Sequence, residues 1–246
     1  MSKEKEKKPL TPFRAFMDKF LFSSYIVALI LAVCFSAFVL FQKNYFEVFW
    51  VNGQSMWPTL NSETRTTDGV LFNENKLSMD GATGVDLVIS DPHDNVIDKL
   101  KRFDIVVCKY RSQSESDKIK RVIALPGETF YIESAPTNTE SNGALYVLND
   151  KTGTFEYIDQ PVPKEYITRA DYPNYSTPTT LGKNEYFVMG DNRLYSGDSR
   201  TNGPVKRDNI QGKAIALVAR CKVVYNVSAG EYENIDINYM WPRFFQ

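Results

Sequence analysis

Three short segments carry the residues best suited to chemistry. In Asn52-Gly-Gln-Ser-Met-Trp-Pro-Thr-Leu60, which follows directly on an apolar run, Ser55 sits at a strand end between a glycine-containing turn and a Met-x-Pro-Thr stretch. There its hydroxyl and the adjacent backbone N–H groups can face a substrate, although a serine in a turn is commonplace and marks no nucleophile by itself. In Asp117-Lys-Ile-Lys-Arg-Val-Ile-Ala-Leu-Pro-Gly-Glu128, strand alternation sends Ile119, Arg121 and Ile123 to one face and Lys118, Lys120, Val122 and Ala124 to the other. Lys120 then stands among apolar neighbours, where desolvation disfavours the ammonium form and lowers its pKa from about 10.4 toward the range of a general base. A solvent-facing lysine on an edge strand is the plain alternative. The third segment, Gly190-Asp-Asn-Arg-Leu-Tyr-Ser-Gly-Asp-Ser-Arg-Thr-Asn-Gly-Pro204, places two Asp and two Arg in a glycine-rich loop, where bidentate ion pairs can fix an irregular backbone. The spacing and terminal Glu of a calcium loop are missing, so no metal is expected. The single histidine, His93, lies in the polar, turn-forming stretch from Ser90 to Asn95. A Ser-His-Asp triad is therefore not expected, and a hydrolytic serine needs another base.

These segments must be held by something, and the elements begin with an anchor. From Phe20 to Phe41 the chain has no charge, proline or glycine. That run covers the roughly 20 residues a helix needs to cross a bilayer. It also exceeds the roughly 7–15 apolar residues of a cleaved leader. Lys3, Lys5, Lys7, Lys8, Arg14 and Lys19 precede it, whereas only Lys43 follows closely. The positive-inside bias puts the N-terminus in the cytosol. The expected organisation is a cytosolic segment 1–19, a transmembrane anchor 20–41 and an extracytoplasmic domain 42–246. A buried core helix is the competing reading, against which nothing upstream of Phe20 supplies the rest of a core.

Beyond the anchor, short β-branched and aromatic runs recur at Phe46 to Val51, Asp104 to Tyr110, Ile119 to Leu125, Thr129 to Ile132, Ala144 to Leu148, Tyr186 to Met189 and Lys213 to Tyr225. Turn-forming residues separate them, which predicts a mainly β, antiparallel domain. Asn61 to Lys99 and Ser134 to Leu181 are polar and weakly patterned, and read as irregular excursions. The aromatic C-terminus, Tyr239 to Gln246, reads as core packing or, alternatively, as an apolar surface on a bilayer interface. With 246 residues, 43% of them hydrophobic, the chain can bury a sizeable core. The net charge of −1 gives no global reason to expect a nucleic-acid partner. Cys34, Cys108 and Cys221 lack metal or framework spacing and read as buried apolar residues, with a Cys108–Cys221 bridge left open.

Taken together, the blocks Gly53 to Thr59, Arg102 to Val107, Lys118 to Gly127 and Gly190 to Arg200, in that order behind an N-in anchor, resemble the type I signal peptidases, membrane-bound bacterial Ser/Lys proteases. The resemblance implies the antiparallel β-sheet catalytic domain of that family behind one N-terminal helix, in the plasma membrane. It implies Ser55 as nucleophile, Lys120 as base, Ser196 orienting the lysine amine, and Asp191, Arg193, Asp198 and Arg200 bracing the loop. Met56, Leu60 and Ile119 are implied to line shallow pockets for small residues at positions −3 and −1 of preprotein leaders, with no cofactor. Three features depart from the family pattern. Phe103 replaces a glycine, so a turn needing positive φ is expected to be built differently. Gly53 cannot supply an oxyanion-hole hydroxyl, leaving backbone donors, chiefly the Ser55 N–H. Leu194 and Tyr195 are bulkier than the usual polar pair. Two alternatives stay open: a signal peptidase restricted to a few clients, and a non-catalytic membrane-tethered peptide-binding relative. A cytosolic Ser/Lys autoprotease of the SOS-repressor type is disfavoured by the anchor.

Overall fold

A computed structural model describes residues 12–51, 53–61, 82–110, 116–226 and 231–245. The chain divides into two compact units, Met1–Tyr45 and Phe46–Gln246.

The first unit is one helix, α1 (Pro12–Tyr45). Proline suits its first turn, where the missing N–H is not needed, and no further proline or glycine interrupts it. The helix starts eight residues before the expected anchor and ends four after it. Its side chains from Phe20 to Phe35 are apolar on all sides and exposed within this unit. That pattern suits a helix surrounded by other apolar matter rather than water. The stretch Pro12–Ala37 is long and apolar enough to cross a membrane.

The second unit is built from antiparallel strands. In chain order these are β1 (Glu47–Val51), β2 (Ala82–Asp91), a helical turn α2 (Asp94–Ile97), β3 (Ile105–Cys108), β4 (Lys118–Ala124), β5 (Thr129–Ile132), β6 (Leu145–Asn149) and β7 (Thr154–Ile158). There follow α3 (Lys164–Ile167), β8 (Thr179–Thr180), β9 (Glu185–Met189), α4 (Ser199–Asn202), β10 (Val205–Lys206), β11 (Ile210–Asn226) and β12 (Glu231–Phe244). One sheet runs β1-β2-β11-β3-β4-β9-β10, with β12 added on β11, and a second runs β7-β6-β5-β8. Every pairing is antiparallel. Register shifts along β11, between Ile210 and Gly212 and again between Leu217 and Ala219, are the bulges expected where one strand bends to serve several partners.

The core has three parts. Ile105, Val88, Leu217, Met56 and Leu60 fill one, on the face of β3 and β4 that also carries Ile119. Val106, Cys108, Val122, Val188 and Tyr186 fill the opposite face. Phe130, Ile132, Leu145 and Val147 of the second sheet pack on Ile123, Ala124, Phe187 and Met189 of the first. The two sheets thus share a core at β4 and β9, the strands that lead into the second and third segments singled out above.

Several expectations change. Of the excursion expected at Asn61 to Lys99, 62–81 lies outside the described residues, whereas 82–91 is a ten-residue strand at the heart of the large sheet. Its apolar run Leu87-Val88-Ile89 is only three residues long, flanked by Asp86 and Ser90 with Gly84 upstream, and tertiary pairing on both sides decides the conformation. The excursion at Ser134 to Leu181 holds, besides the strand expected at Ala144 to Leu148 and found as β6, the unexpected β7 and β8, so it largely builds the second sheet. The C-terminus divides between the two readings: it forms the end of β12 with Trp241 94% and Phe244 71% exposed, whereas Phe245 packs on the core around Met56 and Leu60. Cys108 is a free thiol, so the bridge left open to Cys221 is not formed, and Cys34 is exposed rather than buried. Along β4 the expected alternation holds from Ile119 to Val122. A register shift between Val122 and Ala124 then moves Ala124 into the core shared with the second sheet.

Candidate functional site

Ser55 is half-buried in a tight loop after β1, and the loop is closed from three sides. Asn61 donates through Nδ2 to the Val51 carbonyl at 2.7 Å and to the Gly53 carbonyl at 2.9 Å, joining the two ends of the loop. Asn61 is held in turn by Asp86 of β2, through a pair of bonds in which each backbone N–H meets the other's side chain at 2.7 and 2.8 Å. Within the loop, Trp57 N–H donates to the Gln54 carbonyl and Leu60 N–H to the Met56 carbonyl, both at 3.0 Å. From the 190–201 loop, Asn192 reaches across with two donors, its N–H to the Ser55 carbonyl at 3.0 Å and Nδ2 to the Gln54 carbonyl at 3.3 Å. Gly53 has φ +93, a backbone conformation that glycine adopts without steric cost.

Lys120 lies on β4 directly opposite Val106 of β3, so the pair shares one face of the sheet with Cys108 and Val122. Lys120 is only 3% exposed, and its Nζ lies 2.9 Å from Ser55 Oγ. The amine also donates to the Ile119 carbonyl at 2.9 Å. Burial lowers the Lys120 pKa from the ordinary lysine value, the Asp198 carboxylate pulls the other way, and Lys118 on the same face adds to the lowering. Cys108 is itself pushed up to about 12 by burial and stays a neutral thiol. The structure thus brings together the two groups of the first and second segments, one a hydroxyl and the other an amine that sheds its proton more readily than a free lysine.

Two buried ion pairs hold the surroundings. Asp198 and Arg200 form a bidentate pair at 2.8 and 2.9 Å within the loop, while Asp198 Oδ2 also accepts the Gly190 N–H at 3.0 Å. Burial acts to raise the Asp198 pKa, but the Arg200 bonds and charge outweigh it, so the carboxyl is lowered and stays ionised. Asp191 pairs outside its own loop, with Arg121 of β4, at 2.7 and 2.6 Å. Thr59 of the Ser55 loop donates to the same carboxylate, and Arg121 Nη1 donates to the Phe103 carbonyl at 2.8 Å. One carboxylate therefore ties together the three segments that matter. Arg193 braces the loop through Nε to the Gly190 carbonyl at 2.9 Å.

Ser196, expected on the lysine amine, has a buried hydroxyl that meets no hydrogen-bond partner among the described residues, although it lies close enough to Asp198 to help keep that carboxylate ionised. Met56 and Leu60 are 1% and 0% exposed, core residues behind Ile119 rather than open pocket walls; Ile119 alone of the three keeps surface. Phe103 has φ +74, so the backbone turn that favours glycine is kept and a phenylalanine carries its strain. His93 pairs with Asp91 at 2.7 Å. Reading from the sequence missed Asn61, Thr59, Arg121 and Asn192. The adjacency of Arg121 to Lys120 on a strand whose two faces are both buried was the one available signal for them.

The family described as signal peptidase, peptidase S26, matches residues 22–219. Signal peptidase I of Bacillus caldolyticus is 33% identical over 177 residues, covering 68% of this chain and 76% of its own. Signal peptidase I T of Bacillus subtilis (strain 168) is 30% identical over 188 residues, covering 76% and 78%. A crystal structure of a signal peptidase I from Enterococcus faecalis V583 is 29% identical and covers 47% of this chain and 96% of its own, with a TM-score of 0.33.

Proposed function

This chain belongs to the signal peptidase family, peptidase S26, as a serine peptidase that removes signal peptides from exported preproteins, and we propose that cleavage runs through Ser55 as nucleophile and Lys120 as general base. The observation that carries the assignment is the 2.9 Å separation of Lys120 Nζ and Ser55 Oγ, on an amine with almost no contact with solvent. Neutral Lys120 takes the Ser55 proton as Oγ attacks the scissile carbonyl. The tetrahedral intermediate then collapses to an acyl-enzyme, with the proton passed on to the leaving amine of the mature protein, and water hydrolyses the ester by the same route. The Ser55 N–H is the backbone donor that faces the developing oxyanion.

The remaining residues follow from this frame. Ser196, whose buried hydroxyl meets no hydrogen-bond partner among the described residues, turns onto the Lys120 amine and orients it when substrate fills the site. Asp191, Arg193, Asp198 and Arg200 fix the loop that presses on Ser55. Ile119, with Met56 and Leu60 beneath it, faces the small side chains at −3 and −1 of the leader. The 20–41 segment of α1 spans the plasma membrane of a bacterium once, residues 1–19 lie in the cytosol with their lysines, and residues from 42 onward work outside. Tethering confines the protein to the surface where leaders are themselves embedded, raising effective concentration without a new contact.

The test is direct. Purified full-length protein in detergent, incubated with a model preprotein, releases a mature chain whose N-terminal sequence marks the cut. Ser55→Ala and Lys120→Met each abolish that product while the protein remains folded by circular dichroism. Cleavage surviving either change removes the role assigned to that residue.

A further inference from the structure

We propose that Asn192 is a positioning residue for the reaction, whose side-chain amide aims the Ser55 N–H at the oxyanion by clamping the preceding peptide carbonyl. This rests on Ser55 being the nucleophile. An oxyanion donor is useful only if it points, before the reaction starts, at the place where negative charge will form. A backbone N–H cannot be aimed by a rotamer. Its direction is fixed by the plane of its own peptide, and in a trans peptide the C=O of the preceding residue points the opposite way. The Gln54–Ser55 peptide is trans, so whatever holds the Gln54 carbonyl also directs the Ser55 N–H.

Two donors hold it. Trp57 N–H, at 3.0 Å, comes from the same turn and moves with it. Asn192 Nδ2, at 3.3 Å, comes from residues 138 positions away, anchored through Asp191 to β4 and through Asp198 to Arg200. The backbone N–H of Asn192 takes the next carbonyl, that of Ser55, at 3.0 Å. Consecutive carbonyls are therefore tied to one residue that is itself buried. Contact is so close that a Cβ added to Gly190 would collide with the Ser55 carbonyl oxygen and with Ser196 Oγ. The Ser55 N–H on the other edge of this clamped peptide makes no hydrogen bond among the described residues, as befits a donor kept for the substrate. Gly53 offers no hydroxyl to share the task, so the orientation of this one N–H carries more weight.

Asn192→Asp and Asn192→Ala both remove the Nδ2 donor and keep the backbone N–H. The probes are a peptide ending in Ala-x-Ala prepared as its aldehyde and as its primary alcohol, tested on the full-length protein in detergent. Only the aldehyde accepts the Ser55 oxygen: the Oγ–C bond forms, the C=O pair moves to oxygen, and the serine proton goes to Lys120. For both variants the expected result is a loss of kcat and of aldehyde affinity by the same factor, on the order of 10²-fold, the scale of a lost oxyanion donor. KM and alcohol affinity stay within about 2-fold, the mark of an interaction made in the transition state alone. Affinities are read as dissociation constants by titration calorimetry, which serves the inactive Ser55→Ala as well and does not depend on how much of a sample is folded, so a partly unfolded variant still reports. Equal weakening of aldehyde and alcohol, or no change in their ratio, overturns the proposal. If Ser55→Ala retains the aldehyde preference, it is the nucleophile assignment that fails; if Ser55→Ala loses it and Asn192→Asp keeps it, only the role of Asn192 fails.

Discussion

The loop from Gly190 to Arg200 and the two edge strands β1 and β12 invert the usual distribution of residues in opposite senses. The loop buries Asp191, Arg193 and Asp198 almost completely, whereas the edges leave Trp50, Trp241 and Phe244 half or more exposed. Burying charge is costly unless each charge is paired and hydrogen-bonded, and exposing large apolar side chains forgoes the stabilisation of burial. Neither arrangement serves stability as such. The loop spends stability on geometry, since its ion pairs join the Ser55 loop, β4 and the glycine that touches Ser55. The edges present an apolar surface to whatever lies beside the domain, on strands paired along one side only.

The largest effect that can break this comparison comes from the Arg121–Asp191 pair. Asp191→Leu or Arg121→Met leaves one fully buried ion without its partner, which costs about 3–5 kcal/mol. Chemical denaturation of the solubilised domain will show the midpoint falling accordingly. The double variant Arg121→Met/Asp191→Leu removes both charges and recovers much of that loss, but processing activity stays low because Thr59 loses its carboxylate acceptor and the Phe103 carbonyl loses its Arg121 donor. Full recovery of activity in the double variant would show that the pair is structural ballast rather than a positioning device.

Much of this division was legible beforehand, and the parts that were not have physical reasons. Lys120 and the Asp198–Arg200 pair lie in segments whose residue types are unusual for their surroundings, whereas Ser55, a serine in a turn, was marked only by the resemblance of its block and its order with the others. Seven strands were visible because their apolar residues alternate or cluster between turns. β2 was not, because Gly84, Asp86 and Ser90 dilute its pattern, and Asp86 is buried where Asn61 and Arg220 receive it. The same holds for the partner of Asp191: spacing within the loop suggests Arg193, whereas β4 delivers Arg121 from 70 residues away. At Phe103 the reading failed in the other direction. A missing glycine predicted a rebuilt turn, yet the Phe103 N–H and carbonyl are both bound, to the Val122 carbonyl and Arg121 Nη1, and these bonds hold the positive φ despite its cost.

A smaller effect tests the buried amine. Burial lowers the Lys120 pKa in the folded state, so between that value and about 10.4 the unfolded chain binds a proton that the native protein does not. More protons bound in the unfolded state means that stability rises with pH across that window. Lys120→Met removes the group, and the variant loses this rise while the wild type keeps it, as read from denaturation midpoints at a series of alkaline pH values. Under the same logic the pH–rate profile of the wild type ascends well below the ordinary lysine range, and a limb near 10 would contradict a desolvated base.

The smallest effect on stability belongs to the edges, and its smallness is the point. Trp241 and Phe244 lie in β12, paired to β11 on one side and exposed on their own. Replacing both by serine removes apolar area that folding does not bury, so the unfolding midpoint moves by no more than about 0.5 kcal/mol. An aromatic side chain that contributes so little to folding while facing outward is favoured at a membrane–water boundary. The domain without α1 therefore partitions onto lipid vesicles more strongly as wild type than as Trp241→Ser/Phe244→Ser, in a sedimentation assay at fixed lipid. A double variant that unfolds readily would mean that these rings are core residues after all. One that is stable and binds vesicles as well as wild type would leave the exposed edge with no part in membrane contact.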